Sequence, residues 1–157
     1  MYRSRLSRFL SQPLAELPLN EAHVVSPTIS VREAVAAMQG GGVSCVLAAD
    51  GDRLRGIFTE RDVLTKCMED GFDWEQPLAS LVLTTTPRTI SPGRTVAEAI
   101  ATMQQHHYRT LPVVKEGRVV GLIRLGDILR HLAEAFPEDV LNLPPRPHQV
   151  MDKREGG

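Results

Sequence analysis

The chain repeats itself: the segment from Val25 to Leu64 aligns with Ile90 to Leu129 at a constant offset of 65 positions, without a gap. Matches run along the whole length. Ser26-Pro27 pairs with Ser91-Pro92, Val31 with Val96, Glu33-Ala34 with Glu98-Ala99, and Met38-Gln39 with Met103-Gln104. Arg53, Gly56, Asp62 and Leu64 then pair with Arg118, Gly121, Asp127 and Leu129. Chance likeness of two helices would not hold register through helix, turn, strand and helix, so each copy is one structural unit used twice. A unit this small buries too little surface to be comfortably stable alone, and the two copies are expected to pack on each other.

Period and punctuation give the elements of each unit. Val24-Val25 and Thr89-Ile90 precede Ser-Pro pairs and read as short extended pieces, because the residue before proline is pushed towards β geometry. Ser30-x-x-Glu33 and Thr95-x-x-Glu98 are capping boxes that open helices. Behind them Val31, Ala34, Val35 and Met38, and likewise Val96, Ala99, Ile100 and Met103, form a stripe at helical spacing. Gly40-Gly41-Gly42 is expected to break the first helix and Gln105-His106-His107 to end the second. Apolar runs 43–49 and 108–114 then read as strands, joined through Asp50-Gly51 and Glu116-Gly117 to strands 54–58 and 119–123, since glycine accepts the positive φ of a hairpin turn. Val63, Leu64, Cys67 and Met68, and Ile128, Leu129 and Leu132, mark a closing helix. The fold class is α/β (α+β), two β-α-β-β-α units.

Outside the units, residues 1–16 read as a basic extension in which Leu6, Phe9 and Leu10 mark a short helix docked before Pro13. Its arginines and serines overlap the composition of organelle transit peptides, while no apolar core of a secretory signal follows them. Residues 17–70 form the first repeat, 71–83 a connector anchored by Trp74, Leu78, Leu81 and Val82, 84–136 the second repeat, and 137–157 a Pro-rich tail. With charged residues at 24% and a formal net charge of −1, the chain lacks the basic excess of a nucleic-acid binder. No apolar run approaches the roughly 20 residues of a membrane span. Cys45 and Cys67 are too few for a disulfide scaffold and read as buried thiols. A cytoplasmic location is expected.

Three stretches now carry a family resemblance: Gly56-Ile57-Phe58-Thr59-Glu60-Arg61-Asp62, Thr84-Thr85-Thr86-Pro87-Arg88-Thr89-Ile90-Ser91-Pro92, and His106-His107-Tyr108-Arg109-Thr110-Leu111-Pro112-Val113-Val114. In order and duplicated, they resemble the CBS domain, the module named after cystathionine β-synthase, present as a tandem pair (a Bateman module) from about Leu17 to Phe136. The resemblance implies a stand-alone pair of CBS repeats packed about a pseudo-twofold axis. It also implies two clefts for adenosine-containing ligands: AMP, ADP or ATP first, with NAD or S-adenosylmethionine behind them. Carried over, Thr59 and Asp62 face Thr84, Pro87, Tyr108, Arg109 and Thr110 across one cleft. Arg124 and Asp127 mark a second, weaker site, because arginine replaces the threonine there and the lead-in from Leu19 to Val24 lacks the Thr and Pro.

The residue chemistry agrees with that assignment. A carboxylate accepts from two ribose hydroxyls, a threonine hydroxyl donates to phosphate, and a helix start offers free N–H groups to anions. Thr59-x-x-Asp62 is equally an ordinary capping box, and both roles are compatible. Tyr108 stacks on adenine or fills a strand position. His106-His107, with no Cys or acid cluster beside it, does not read as a metal site.

The leading expectation is therefore a non-enzymatic sensor that transmits nucleotide occupancy to a separately encoded protein. The alternative is a ligand-free dimerisation and protein-interaction module. A homodimer is expected in either case, and neither nucleic acid nor membrane insertion is. The sequence shows no nucleophile-base pair, metal cluster or Walker-type loop, so no catalytic residue is assigned.

Overall fold

The computed structural model describes residues 2–82 and 87–136. Thr84 and its neighbours at 83–86, Pro137 and the Pro-rich tail lie outside the described residues. Two compact units divide the chain, residues 1–124 and residues 125–157.

In the first unit β1 (Val24–Val25), β2 (Cys45–Asp50), β3 (Arg53–Thr59), β4 (Thr110–Lys115) and β5 (Arg118–Arg124) form one sheet in the order β1-β2-β3-β5-β4. The sheet reports the repeat directly. Val25 pairs with Ala48 in parallel, and Ile90 makes the same bridge to Val113, 65 positions on in both partners. Irregularities between Ala48 and Ala49 and between Val113 and Val114 also coincide. β3 and β5 meet antiparallel with Arg53 opposite Arg118, which are equivalent residues, as a local twofold through the sheet requires. Like charges directly opposite repel. Arg118 is instead held by Asp52 at 2.6 Å, a bridge that exists once because the second repeat has Gly117 at the equivalent place.

Helices α2 (Val31–Gly41) and α5 (Val96–His106) open with complete capping boxes. Ser30 N–H donates to Glu33 at 2.8 Å and Thr95 N–H to Glu98 at 2.8 Å. Both helices end within the expected stretches, Gly40-Gly41-Gly42 and Gln105-His106-His107. Gly40 and Gly41 stay within α2, and only Gly42, at φ 61°, turns the chain out of it. Val43 N–H then reaches Met38 O, as Tyr108 N–H reaches Met103 O after His107 at φ 57°. This six-to-one closure consumes Val43 and Tyr108. The strands therefore begin later than the apolar runs, at Cys45 and Thr110, and Tyr108 and Arg109 precede β4 instead of belonging to it. In the hairpins Gly51 takes φ 64°, and Glu116 and Gly117 take 54° and 81°, the double positive φ of a type I′ turn.

The segment ahead of each repeat is built onto the other repeat. Leu14 N–H donates to Arg94 O at 2.8 Å, Ala15 N–H to Pro92 O at 2.9 Å, and Val96 N–H to Gln12 O at 3.0 Å. The reciprocal set is Leu78 to Ile29 at 2.7 Å, Ala79 to Pro27 at 2.9 Å, and Val31 to Gln76 at 3.0 Å. Its sequence basis is an echo at offset 64, Gln12-Pro13-Leu14-Ala15 and Gln76-Pro77-Leu78-Ala79. Leu14 and Leu78 are both fully buried. Each strap then crosses a strand at a glycine, Val82 over Gly56 and Leu19-Asn20 over Gly121. There an added Cβ would lie 2.9 Å from Val82 Cβ or from Leu19 Cβ.

One core gathers Val31, Ala34 and Met38 of α2 with Val46, Ala48, Phe58, Leu78 and Val82; Trp74 and Leu81 pack on its edge. α1 (Tyr2–Leu10) lies on α5 with Phe9 buried and Leu6 and Leu10 half-buried. α3 (Glu60–Lys66) is shorter than its apolar pattern suggests. Cys67 caps it and is buried, whereas Leu64 and Met68 are 69% and 65% exposed, which leaves an apolar strip facing outwards. α4 (Ala79–Val82) is a single turn within the connector.

The second unit holds α6 (Leu125–Ala135), within which Arg130 pairs with Asp127 at 3.0 Å and His131 faces Glu134 at 3.6 Å. No described helix is long and apolar enough to cross a membrane.

Candidate functional site

A cavity of about 460 Å³ opens in the first unit where the end of β3 and the start of α3 meet the approach to β4. Thr59, Asp62, Pro87, Tyr108, Arg109 and Thr110 all line it, so residues from both repeats share one enclosure. Thr84 lies outside the described residues. Sequence reasoning did not single out Ser44, Cys45, Ile57, Arg61, Lys66, Val82, Arg88 or Pro112, which complete the wall with Glu60 and His107. Two of these had a signal: Arg61 sits inside the Thr59-x-x-Asp62 stretch and Arg88 follows Pro87.

Thr59 and Asp62 are positioned by each other. Thr59 N–H and Oγ1 donate to Asp62 Oδ2 at 2.9 and 3.1 Å, and Asp62 N–H donates to Thr59 Oγ1 at 3.2 Å. The capping role is thus realised, and it occupies one carboxylate oxygen. Oδ1 faces Lys66 Nζ at 3.4 Å and keeps acceptor capacity, since a carboxylate offers about four lone-pair sites. The free N–H groups expected at the start of α3 are largely committed. Glu60 N–H donates to Ser44 O at 3.0 Å, Asp62 N–H serves the cap, and the helix has only seven residues. Few backbone N–H groups at this helix start are therefore left open to the cavity.

The floor is apolar and the rim is charged. Cys45, Val82 and Pro112 are buried, with Ile57 half-buried. Burial pushes the Cys45 thiol up; Arg124's guanidinium opposes this and Glu60 adds to it, so at neutral pH the group is an uncharged wall. Glu60, Arg61, Lys66, Arg88, His107, Tyr108 and Arg109 are exposed. Tyr108 presents its ring at 41% exposure, stacked on His106 with centroids 5.6 Å apart and planes 25° from parallel. That contact fixes the ring's orientation at the mouth.

Arg124, at the end of β5, pairs across the sheet with Thr110. Its Nε is buried with no hydrogen-bond partner among the described residues. Asp127 sits in the first turn of α6, in the other compact unit, and takes the guanidinium of Arg130. Among the described residues no three His, Cys, Asp or Glu side chains gather to hold a metal.

Comparison with known proteins agrees with this architecture. The CBS domain model matches residues 14–69 and 79–134. The chain is 30% identical over 104 residues to the CBS domain-containing protein YhcV of Bacillus subtilis, covering 66% of this chain and 74% of that protein. It is similar to the structure of a putative signal-transduction protein with CBS domains from Burkholderia ambifaria, at 28% identity and a TM-score of 0.66, over 80% of this chain and 93% of that one. A CBS domain protein from Pyrobaculum aerophilum complexed with AMP shares the fold at 22% identity and a TM-score of 0.67, over 78% of this chain and 99% of that one. The internal repeat, the paired sheet and these matches together make the chain a member of the CBS domain family, carrying the domain twice in tandem.

Proposed function

We propose that this CBS pair is a non-enzymatic sensor that binds an adenosine-containing ligand, an adenine nucleotide, in the cavity between residues 59–62 and 107–112. The observation that carries the reading is the convergence of complementary groups from both repeats on one enclosure. Asp62 Oδ1 is placed to accept from ribose hydroxyls, Thr59 and Thr110 supply hydroxyls, and an oriented Tyr108 ring stands over an apolar floor that suits a heterocycle. AMP in the Pyrobaculum protein supports the ligand class. A ligand touching both repeats distinguishes their relative arrangements, which is the physical requirement for passing occupancy to a partner protein.

Calorimetry with AMP, ADP, ATP, NAD and S-adenosylmethionine tests the reading on wild type and on Asp62→Asn. The asparagine retains an oxygen for the Thr59 N–H but gives up the charged acceptor. Binding is expected to weaken about tenfold, the scale of one charge-assisted hydrogen bond, with stability changed by less than about 1 kcal/mol. Folded protein that gives no heat with any ligand at millimolar concentration refutes the sensor. An unchanged affinity in Asp62→Asn refutes the assigned role of the carboxylate.

The second reading is a ligand-free module for dimerisation and protein interaction. The exposed Leu64 of α3 and Met68 just beyond it favour it, since self-association would cover them. Sedimentation of wild type and Leu64→Glu separates the two functions: loss of the dimer with nucleotide affinity intact shows that they are independent.

A further inference from the structure

We propose that Lys66 passes occupancy of the cavity to the connector: its ammonium joins the ligand-reading Asp62 to the backbone of α4, so that a nucleotide on Asp62 tightens the connector's hold on α2. This rests on the nucleotide reading above and adds the path by which a bound ligand is felt outside the cavity. Lys66 ends α3 and lines the cavity. Its Nζ lies 3.4 Å from Asp62 Oδ1 and donates to Leu81 O at 3.4 Å. Leu81 belongs to α4, a single turn whose last carbonyls have no intrahelical donor and suit a cation. The next residue, Val82, is both a wall of the cavity and the crossing over Gly56. One ammonium therefore touches the carboxylate assigned to ribose and the segment that runs back to α2.

Asp62 supplies the link. Oδ2 already takes the Thr59 N–H and hydroxyl, so ribose hydroxyls come to Oδ1, the oxygen that Lys66 faces. A hydroxyl donating there shares the charge that held the ammonium, and the ammonium's hold shifts towards Leu81 O. Behind Leu81 the connector supplies Gln76 O to the Val31 N–H at 3.0 Å and Trp74 O to the Arg32 N–H at 2.9 Å. These bonds satisfy donors that the start of α2 leaves open. A connector held more firmly at Leu81 keeps those two amides closed for longer. The partly exposed pair of Lys66 with Asp62 adds little to stability, so its distinctive contribution is the coupling. The second repeat has His131 at the equivalent place, a shorter side chain that faces Glu134 at 3.6 Å.

Residue-resolved hydrogen exchange with and without saturating AMP, ADP or ATP tests this on wild type, Lys66→Met and Lys66→Arg, with affinities from calorimetry. Wild type is expected to bind and to slow exchange of the Val31 and Arg32 amides about tenfold. Lys66→Met keeps the aliphatic stem without the charge; it is expected to bind within about tenfold of wild type and, at saturation, to slow those amides less than about twofold. Lys66→Arg is expected to restore the slowing. A role in stability alone would move exchange equally with and without nucleotide. Full slowing in Lys66→Met, or none in wild type that binds nucleotide, overturns the coupling and leaves the nucleotide reading standing. Lys66→Arg behaving like Lys66→Met overturns it too, because the charge would then not be what matters. Loss of binding in Lys66→Met makes Lys66 a ligand contact and also overturns it. Wild type that binds none of the three nucleotides overturns both.

Discussion

Gly56→Ala puts a methyl carbon 2.9 Å from Val82 Cβ, Cγ2 and carbonyl oxygen at once. Rotating the Val82 side chain moves Cγ2 but neither Cβ nor the carbonyl oxygen, so no side-chain rotation relieves the crowding. The connector has to lift off β3. Overpacking of this kind costs about 1–3 kcal/mol. Gly56 is outside the left-handed region, so alanine also stiffens the unfolded chain and returns about 0.4–1 kcal/mol. The net expectation is a loss of about 1–2 kcal/mol, or a fall in Tm of roughly 2–8 °C for a chain of this size. Urea unfolding monitored by circular dichroism measures it, with Gly40→Ala as the matched control. Gly40 lies inside α2 with nothing within 4 Å, and alanine there gains about 0.8–1 kcal/mol of helix propensity. The same added methyl thus acts with opposite sign at the two positions. If Gly56→Ala is as stable as wild type, the close crossing of Val82 over β3 is wrong. Because Val82 also lines the cavity, the destabilised variant is expected to bind nucleotide more weakly as well.

Two further outcomes are expected from the titratable groups. The Thr95 N–H, helped by Arg94, holds the Glu98 carboxyl below its ordinary value of 4.5. A depressed carboxyl stabilises the fold above its unfolded pKa and loses that contribution as pH falls through the folded one. Stability is therefore expected to drop below about pH 4.5 less steeply in Glu98→Gln than in wild type, and equal slopes in denaturation from pH 6 to 3 would dismiss the role of the capping box. Cys45, buried and with its thiol pushed up, is expected to alkylate far more slowly at pH 8 than a free thiol, and more slowly still with nucleotide bound; a nucleotide-independent rate argues against occupation of this cavity.

Much of the molecule was legible because local chemistry agreed with the global fold. Ser30 with Glu33, Thr95 with Glu98 and Thr59 with Asp62 announce helix starts that the structure forms, and six of the seven residues that the resemblance assigned to the first cleft line one cavity, Thr84 lying outside the described residues. What stayed hidden depends on partners distant in sequence. The echo of Gln12-Pro13-Leu14-Ala15 at Gln76 stands at offset 64, one position off the register that exposed the rest, and its role appears only when each copy is seen on the opposite repeat. Strand starts slipped because the closing bonds of Val43 and Tyr108 are a matter of backbone geometry that an apolar run does not reveal. Leu64 and Met68 look like core by composition, yet α3 turns Leu64 outwards and ends before Met68, which is exposed beyond it. Arg61 and Arg88 lie inside or beside the recognised stretches, but only the cavity shows that they line it.

The exchanged lead-in segments impose a schedule on synthesis. The start of α5 is met by Gln12, made 84 residues earlier, whereas the start of α2 needs Gln76, made 45 residues later. At 5 to 20 residues per second that is a wait of roughly 2–9 s. Throughout it α2 stands on the ribosome without its cover, and Leu78 is not yet there to fill the core beside it. Any pause in translation between residues 31 and 76 prolongs that exposure, while a pause once α5 is complete finds the covering segments of both helices already made.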